Sequence, residues 1–256
     1  MDLKGKTFII SGGGSGLGRG AAQVLVEGGA QVVLADVNAA NAEKTAEELG
    51  SAARFTECDV TNEAQVQTAV DLAFEAFGGL NGVVNCAGIA AAQRVSSKAG
   101  PHPLDLWKLV LDINLTGSFN LIRLAASAMV AKQQPDPQGE RGVLINTASV
   151  AAFEGQIGQA AYAASKGGVV SMTLPIAREF AKFGIRCVTI APGLFDTPMF
   201  GVLPDEARES LGGQVPFPSR LGDPREFGGM VRHVAENIML NGETIRLDGA
   251  VRMQAK

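Results

Sequence analysis

Short apolar runs recur along this chain, each followed by a longer stretch with helical periodicity. That alternation limits the folds open to it more than any single motif does. Thr7–Ser11 (TFIIS), Gln31–Asp36 (QVVLAD), Gly82–Asn85 (GVVN), Gly142–Thr147 (GVLINT) and Ile185–Ala191 (IRCVTIA) are continuous rather than alternating, the pattern of strands covered on both faces. Arg54–Thr56 reads as a weaker third strand, closed by the polar turn Asp59–Asn62, and Glu243–Leu247 as the last. Ala39–Leu49 is dense in helix-forming Ala, Glu and Lys, and Asn62–Phe77 carries Val66, Ala69, Val70, Ala73 and Phe77 close to one helical stripe. Leu104–Ala131 and Gln159–Phe183 are longer and more apolar. Such alternation implies right-handed crossovers, so the expected fold is α/β: one domain with a doubly wound parallel sheet of about seven strands and helices on both faces. The 32 glycines among 256 residues suit its many strand–helix turns.

Charge and composition exclude several classes of function. A formal net charge of −4 lacks the basic excess of a phosphate-backbone binder, so no nucleic-acid partner is expected. No apolar run reads as long enough to span a membrane, and the six residues before the first strand leave no room for a signal or transit peptide. The expectation is a cytoplasmic protein. Cys58, Cys86 and Cys187 are too scattered for a disulfide framework, and His102 and His233 do not make a metal site, so no metal is expected.

Residues Ser11–Gly18 read SGGGSGLG, after the first strand and before an Ala-rich helix. Gly12, Gly16 and Gly18 let the backbone approach a pyrophosphate at a helix N-terminus, where free N–H groups and the helix dipole favour negative charge. A glycine turn alone is a weak signal; its place between strand and helix makes it a Rossmann-type nucleotide-binding signal. Asp36 ends the second strand, where a carboxylate can accept both ribose hydroxyls and repel a 2′-phosphate. No arginine stands at Val37 or Asn38 to reverse that preference, so the expected cofactor is NAD.

Tyr162 is the only tyrosine in the chain, and Lys166 follows it by one helical turn on the same face. An isolated Y-x-x-x-K pair is an ordinary surface pair. Here it follows a cofactor-binding pattern, and an ammonium beside a phenol lowers a pKa that is ordinarily about 10. The phenolate can then take a hydroxyl proton as hydride leaves the carbon. Ser149, just past the fifth strand, can hold the substrate oxygen. Asn114 sits in a polar break (INLTG) of the long helix, where a freed carbonyl can bind water and link Lys166 to solvent.

SGGGSGLG, Asp59–Val60, NCAG at Asn85–Gly88, INLTG, TAS ending at Ser149, YAASK and APG at Ala191–Gly193 together resemble the short-chain dehydrogenase/reductase family. Two departures stand out: Ser11 replaces a threonine, and Cys86 replaces the second asparagine of N-N-A-G, which puts the pinning of the cofactor loop in question. NTASVAAFEGQIGQAAYAASKGG, TLPIARE, TIAPGLFDTPMF, VPFPSRLGDP and NGETIRLDGA are similar to a narrower group, the dehydrogenases that oxidise 3-hydroxyacyl-CoA thioesters with NAD. The resemblance implies Ser149, Tyr162 and Lys166 as catalytic, with Asn114 in support. It implies Ser15, Leu17, Asp36, Asp59, Val60, Cys86, Pro192, Gly193, Phe195 and Thr197 as cofactor contacts, joined by Asn85, Ala87, Gly88, Tyr162 and Lys166. Gln156 would lie beside the substrate, with Ser149 and Tyr162.

Rival readings are a 3-oxoacyl carrier-protein reductase, which favours NADPH, a hydroxysteroid or secondary-alcohol dehydrogenase, and a non-catalytic NAD-binding scaffold. Leu194–Pro224 holds five prolines with Leu194, Phe195, Met199, Phe200, Leu203, Leu211, Val215 and Phe217, too apolar for a solvated loop. A substrate lid is expected there, with Gly201, Gly212 and Gly213 as flexing points. The family's habit and the apolar long helices lead us to expect a homotetramer.

Overall fold

A computed structural model describes residues 1–198 and 204–255. Seven strands form one parallel sheet: β1 (Thr7–Ser11), β2 (Gln31–Asp36), β3 (Ala53–Glu57), β4 (Gly82–Asn85), β7 (Gly142–Thr147), β8 (Ile185–Pro192) and β9 (Thr244–Leu247). Their order is β3-β2-β1-β4-β7-β8-β9. The order reverses between β1 and β4, so the crevice beyond their carboxyl ends is the ligand position of this architecture. Strands β5 (Ser96–Ser97) and β6 (Gly100–Pro101) make a small antiparallel hairpin beside it.

The continuous apolar strands are buried on both faces, as their composition implies. Phe8, Ile10, Val32 and Leu34 face one core, shared with α1 (Gly16–Glu27) and α9 (Pro224–Glu236). Ile9, Val33, Val83 and Leu144 face the other, beneath α3 (Glu63–Phe77), α5 (Gly117–Lys132) and α7 (Ala160–Phe180). The period-two alternation of Phe8, Ile9 and Ile10 is what divides the two layers. Helix α2 (Ala39–Leu49) flanks the β2 side and α8 (Asp205–Gly212) precedes α9.

Helix α9 had no counterpart in the sequence reading, although its start carries a legible signal. Asp223 and Glu226 form a reciprocal cap around Pro224. The helix docks on α1 so closely that a Cβ at Gly20 would lie 2.4 Å from Pro224 O, and one at Gly228 2.5 Å from Gly20 O. Only glycines allow that approach. The long helix also departs from expectation, because it does not break at Asn114. Helix α4 (Leu104–Leu111) passes through a π turn at Asp112–Thr116 into α5, and the whole is apolar and long enough, by length and composition, to cross a membrane. Half of its most apolar window is buried inside the protein, so that apolarity serves the core. Between β7 and α7 lies a further short helix, α6 (Ala151–Glu154).

Candidate active site

The glycine turn supplies a cofactor cradle. Gly12 has φ +65°, and a Cβ there would lie 2.9 Å from Ala87 N; a Cβ at Gly18 would lie 2.2 Å from Gly12 O. The turn therefore packs directly against the Asn85–Gly88 loop. Ser11 pins the two together, its Oγ accepting from Cys86 N and Ala87 N at 3.2 Å each. This resolves both departures noted in the sequence. A serine suffices for the pinning, and residue 86 contributes only its backbone, while the Cys86 thiol turns to Thr147 Oγ1 at 3.5 Å. Ser15 caps α1 without a side-chain bond to the helix, leaving its hydroxyl for a ligand, and Leu17 packs on the core. Thr197 stands over the turn, its Cγ2 3.4 Å from where a Gly16 Cβ would be.

Asp36 is held at the far side by two backbone amides: Gly14 N donates to Oδ2 and Asn38 N to Oδ1, both at 2.9 Å. Thr45 Oγ1 donates to Gly14 O, fixing the same turn. Asp59 accepts from Thr61 N and Oγ1, and buried Val60 accepts from Asn120 Nδ2. Pro192 and Gly193 end β8, with Pro192 O accepting from Val150 N. Two implied contacts are placed differently. The Asn85 amide points inward, donating to Asn146 Oδ1 at 2.9 Å, and the Phe195 ring lies in the core against Gly222. Apolar neighbours on adjacent strands draw the ring in.

The reactive groups meet where α7 lies over β7 and β8, at the carboxyl end of β7. Tyr162 and Ser149 are half-buried neighbours. Burial raises the phenol's pKa above its ordinary value, and a hydrogen bond with Ser149 pulls it back. The sequence reading expected Lys166 to lower it. Instead the buried ammonium donates to Thr147 O at 2.8 Å and lies 5.9 Å from the Tyr162 ring centre, because a buried cation needs an acceptor and the β7 carbonyl is within reach. Burial pushes the Lys166 pKa down to about 8. Asn114, fully buried, accepts from Ile89 N at 2.8 Å and donates to Ile89 O and Ser165 Oγ; Ser165 in turn donates to Tyr162 O. The Asn114 carbonyl accepts from Ser118 Oγ. Gly88 passes directly over this cluster, 3.6 Å from Lys166 Nζ to its would-be Cβ. Asn114 thus ties the cofactor loop to the catalytic helix.

Ser11, Thr147 and Ser165 escaped the sequence reading as partners, since small hydroxyl residues in strands and helices carry no distinctive pattern. An open cleft of about 600 Å3 is lined by Gln156, Gln159, Ala160 and Ala163, the last next to Tyr162 in the chain, and across from them by Arg94, Val95 and Ser96. Gln156 lines this cleft, and the sequence carries no signal for the Arg94 side. In the 194–224 segment, Leu194, Phe195 and Val215 are core residues, which explains part of its apolar surplus, while Phe217 is 84% exposed. Met199, Phe200, Gly201 and Leu203 lie outside the described residues.

A doubly wound sheet with this glycine turn and a Ser149/Tyr162/Lys166 cluster defines a class, and residues 6–208 match the short chain dehydrogenase family. The chain belongs to that family and is an oxidoreductase working with a nicotinamide cofactor. Over 254 residues it is 54% identical to the 3-hydroxyacyl-CoA dehydrogenase type-2 of Bos taurus and 55% identical to that of Rattus norvegicus, covering 98% of this chain and 97% of each relative. The crystal structure of 3-hydroxyacyl-CoA dehydrogenase type-2 from Mycobacterium avium matches with a TM-score of 0.94 at 39% identity, over 100% of both chains.

Proposed function

We propose that this enzyme oxidises 3-hydroxyacyl-CoA thioesters to 3-oxoacyl-CoA, and reduces them back, with NAD as the hydride carrier. The observation that carries the reading is the full-length similarity to dehydrogenases of that name, joined to an intact Ser149/Tyr162/Lys166 cluster beside a cavity. Bound NAD supplies the carbon-bound hydrogen's acceptor. The cradle fits it: Gly12, Gly16 and Gly18 admit the pyrophosphate, Ser15 offers a free hydroxyl, and Asp36 offers a carboxylate already oriented for a ribose diol.

Ser149 Oγ holds the substrate oxygen. Tyr162, as phenolate, takes the proton from that oxygen in oxidation and returns it in reduction. Lys166 places a positive charge near the same patch, which favours the phenolate against the burial that disfavours it. Asn114 keeps the loop and α7 in register. Asp36 favours NAD over NADP by repelling a 2′-phosphate. Within the described residues of the 194–224 segment, α8 is tied to Asp196 by Arg208, and we assign the segment the role of cover over the acyl chain.

The enzyme is proposed to be a homotetramer of the cytoplasm. Leu104, Leu109, Phe119 and Leu174 lie open on the long helices, and the cysteines of the chain are free. The test is a substrate panel. Acetoacetyl-CoA should be reduced with NADH, and a 3-hydroxyacyl-CoA oxidised with NAD. Faster turnover of acyl carrier-protein thioesters with NADPH would favour the rival reductase, and no turnover of either thioester would end the reading.

A further inference from the structure

One wall of the cavity, residues 155–159, is held by a part of the chain about a hundred residues away. After β9 the backbone reverses through Gly249 and Ala250, with φ +56° and +67°. Alanine adopts that conformation only where its surroundings hold it. Here Asp248 does so, its Oδ1 accepting from Ala250 N at 3.0 Å and its carbonyl accepting from Val251 N at 3.0 Å. Val251 is then buried against Gly193. The reversal sends the tail back across the Glu154–Gln159 segment.

Two acids and two arginines fasten it there. Glu154, at the end of α6, accepts from Arg246 Nη1 at 2.7 Å, from Arg246 Nη2 at 3.1 Å and from Met253 N at 3.3 Å. Asp248 accepts from Arg246 Nε at 2.7 Å and from Arg252 Nη1 at 3.1 Å. Beyond this clamp the tail meets the wall through its own carbonyls. Ile157 N donates to Ala255 O at 2.9 Å, and Gln156 Nε2 donates to Gln254 O at 3.2 Å. The opposite side of the wall is bonded to Gln93, which precedes Arg94 on the far side of the cleft, Gly158 O accepting from Gln93 N at 2.8 Å.

We propose that residues 251–255 are a positioning element of the substrate site. They fix the 155–159 wall and turn the Gln156 carboxamide so that Oε1 is the atom left for the substrate. The orientation follows from chemistry, because only the NH2 half of the amide can face a carbonyl. Gln156 N is itself bonded to Gln159 Oε1, so the side chain is located at both ends. Within the tail only Val251 packs on an implied cofactor contact, Gly193, whereas Gln254 and Ala255 bond to the wall, so the influence of these last residues falls on substrate binding and not on cofactor binding. This inference rests on the cavity being the substrate site.

The test is a chain shortened after Met253, which removes both acceptor carbonyls and keeps the clamp. KM for acetoacetyl-CoA should rise about tenfold, as expected for two lost hydrogen bonds, with kcat changed by less than about threefold. NADH affinity, read by Trp107 fluorescence, should stay within about twofold. Shortening the chain in a Gln156→Ala background should add little further to KM. Amide exchange of the 155–159 peptide should quicken while that of the 11–18 peptide does not. If the shortened chain does not fold, Glu154→Gln, which weakens the clamp, should reproduce the same split between KM and NADH affinity. Unchanged exchange at 155–159 would overturn the proposal, as would KM and NADH affinity worsening in parallel, or additive effects with Gln156→Ala. If the wild type turns over no acyl-CoA, the functional reading fails while the exchange result still judges the tail.

Discussion

Replacing Asp36 by alanine should move the enzyme from the proposed NAD preference towards NADP. Asp36 is preorganised: its two oxygens are fixed by Gly14 N and Asn38 N at 2.9 Å each, and each oxygen keeps a second lone pair for a ribose hydroxyl. A hydrogen bond to a charged acceptor is worth about 1.5–3 kcal/mol. Losing two, partly replaced by water, should cost NAD about 3 kcal/mol, or roughly a hundredfold in affinity. NADP gains from the removed repulsion. Two unit charges about 5 Å apart at an effective dielectric of about 20 repel by about 3 kcal/mol, and solvent at this half-buried site reduces that to about 1–2 kcal/mol. The ratio of kcat/KM for NAD over NADP should therefore fall by about a thousandfold. The assay is initial-rate kinetics with both cofactors at fixed ionic strength, with Asp36→Asn as the intermediate case that keeps one acceptor. A uniform loss for both cofactors would mean that Asp36 acts only by shaping the glycine turn. A change in the ratio of less than tenfold would refute the ribose-acceptor argument.

Tyr162→Phe should leave NADH binding intact and lower kcat by about 10²–10⁴-fold, the usual cost of losing a general acid–base group; stopped assays at enzyme excess measure it. Because Tyr162 is the only tyrosine, its ionisation can be read directly from tyrosinate absorbance. Burial raises its pKa in the free enzyme, so the phenol should keep its proton past the ordinary value of about 10, and kcat/KM for oxidation should climb with pH while that for reduction falls. A free-enzyme titration at or below the ordinary value would mean that burial does not govern the phenol. Gly18→Ala would drive a Cβ to 2.2 Å from Gly12 O, so NADH affinity should be lost in a protein whose acyl-CoA cavity is intact, as titration calorimetry can check. Glu140→Ala removes the carboxylate shared by the buried Arg186 guanidinium at 2.7 Å and the N-terminal ammonium at 3.0 Å, leaving Arg186 on backbone carbonyls alone, and should cost about 3–5 kcal/mol in a urea unfolding curve.

The features written into the chain locally are legible in the order of its residues. Continuous apolar runs place β1, β4, β7 and β8 in the interior, the glycine turn marks the crevice, and Tyr162 and Lys166 share a helix face. Each depends on residues within a few positions of one another, where periodicity and backbone freedom act directly. Helix α9 was within reach by the same route, since Asp223, Pro224 and Glu226 spell its start. Tertiary structure alone decided where the Lys166 ammonium goes, because the choice between a phenol and the Thr147 carbonyl depends on how α7 lies over β7. It decided that the helix around Asn114 widens instead of breaking, since the Asn114 side chain is anchored on Ile89 from a different loop. It also decided what holds the 155–159 wall: Gln93 bonds to Gly158 and Ala255 to Ile157, backbone to backbone, and a backbone N–H or C=O is the same whatever residue carries it. Side-chain pattern determines which segments can be strands, helices and turns. The pairing of backbone groups far apart in the chain is set by the packed fold, and in this protein that pairing builds the wall of the candidate substrate site.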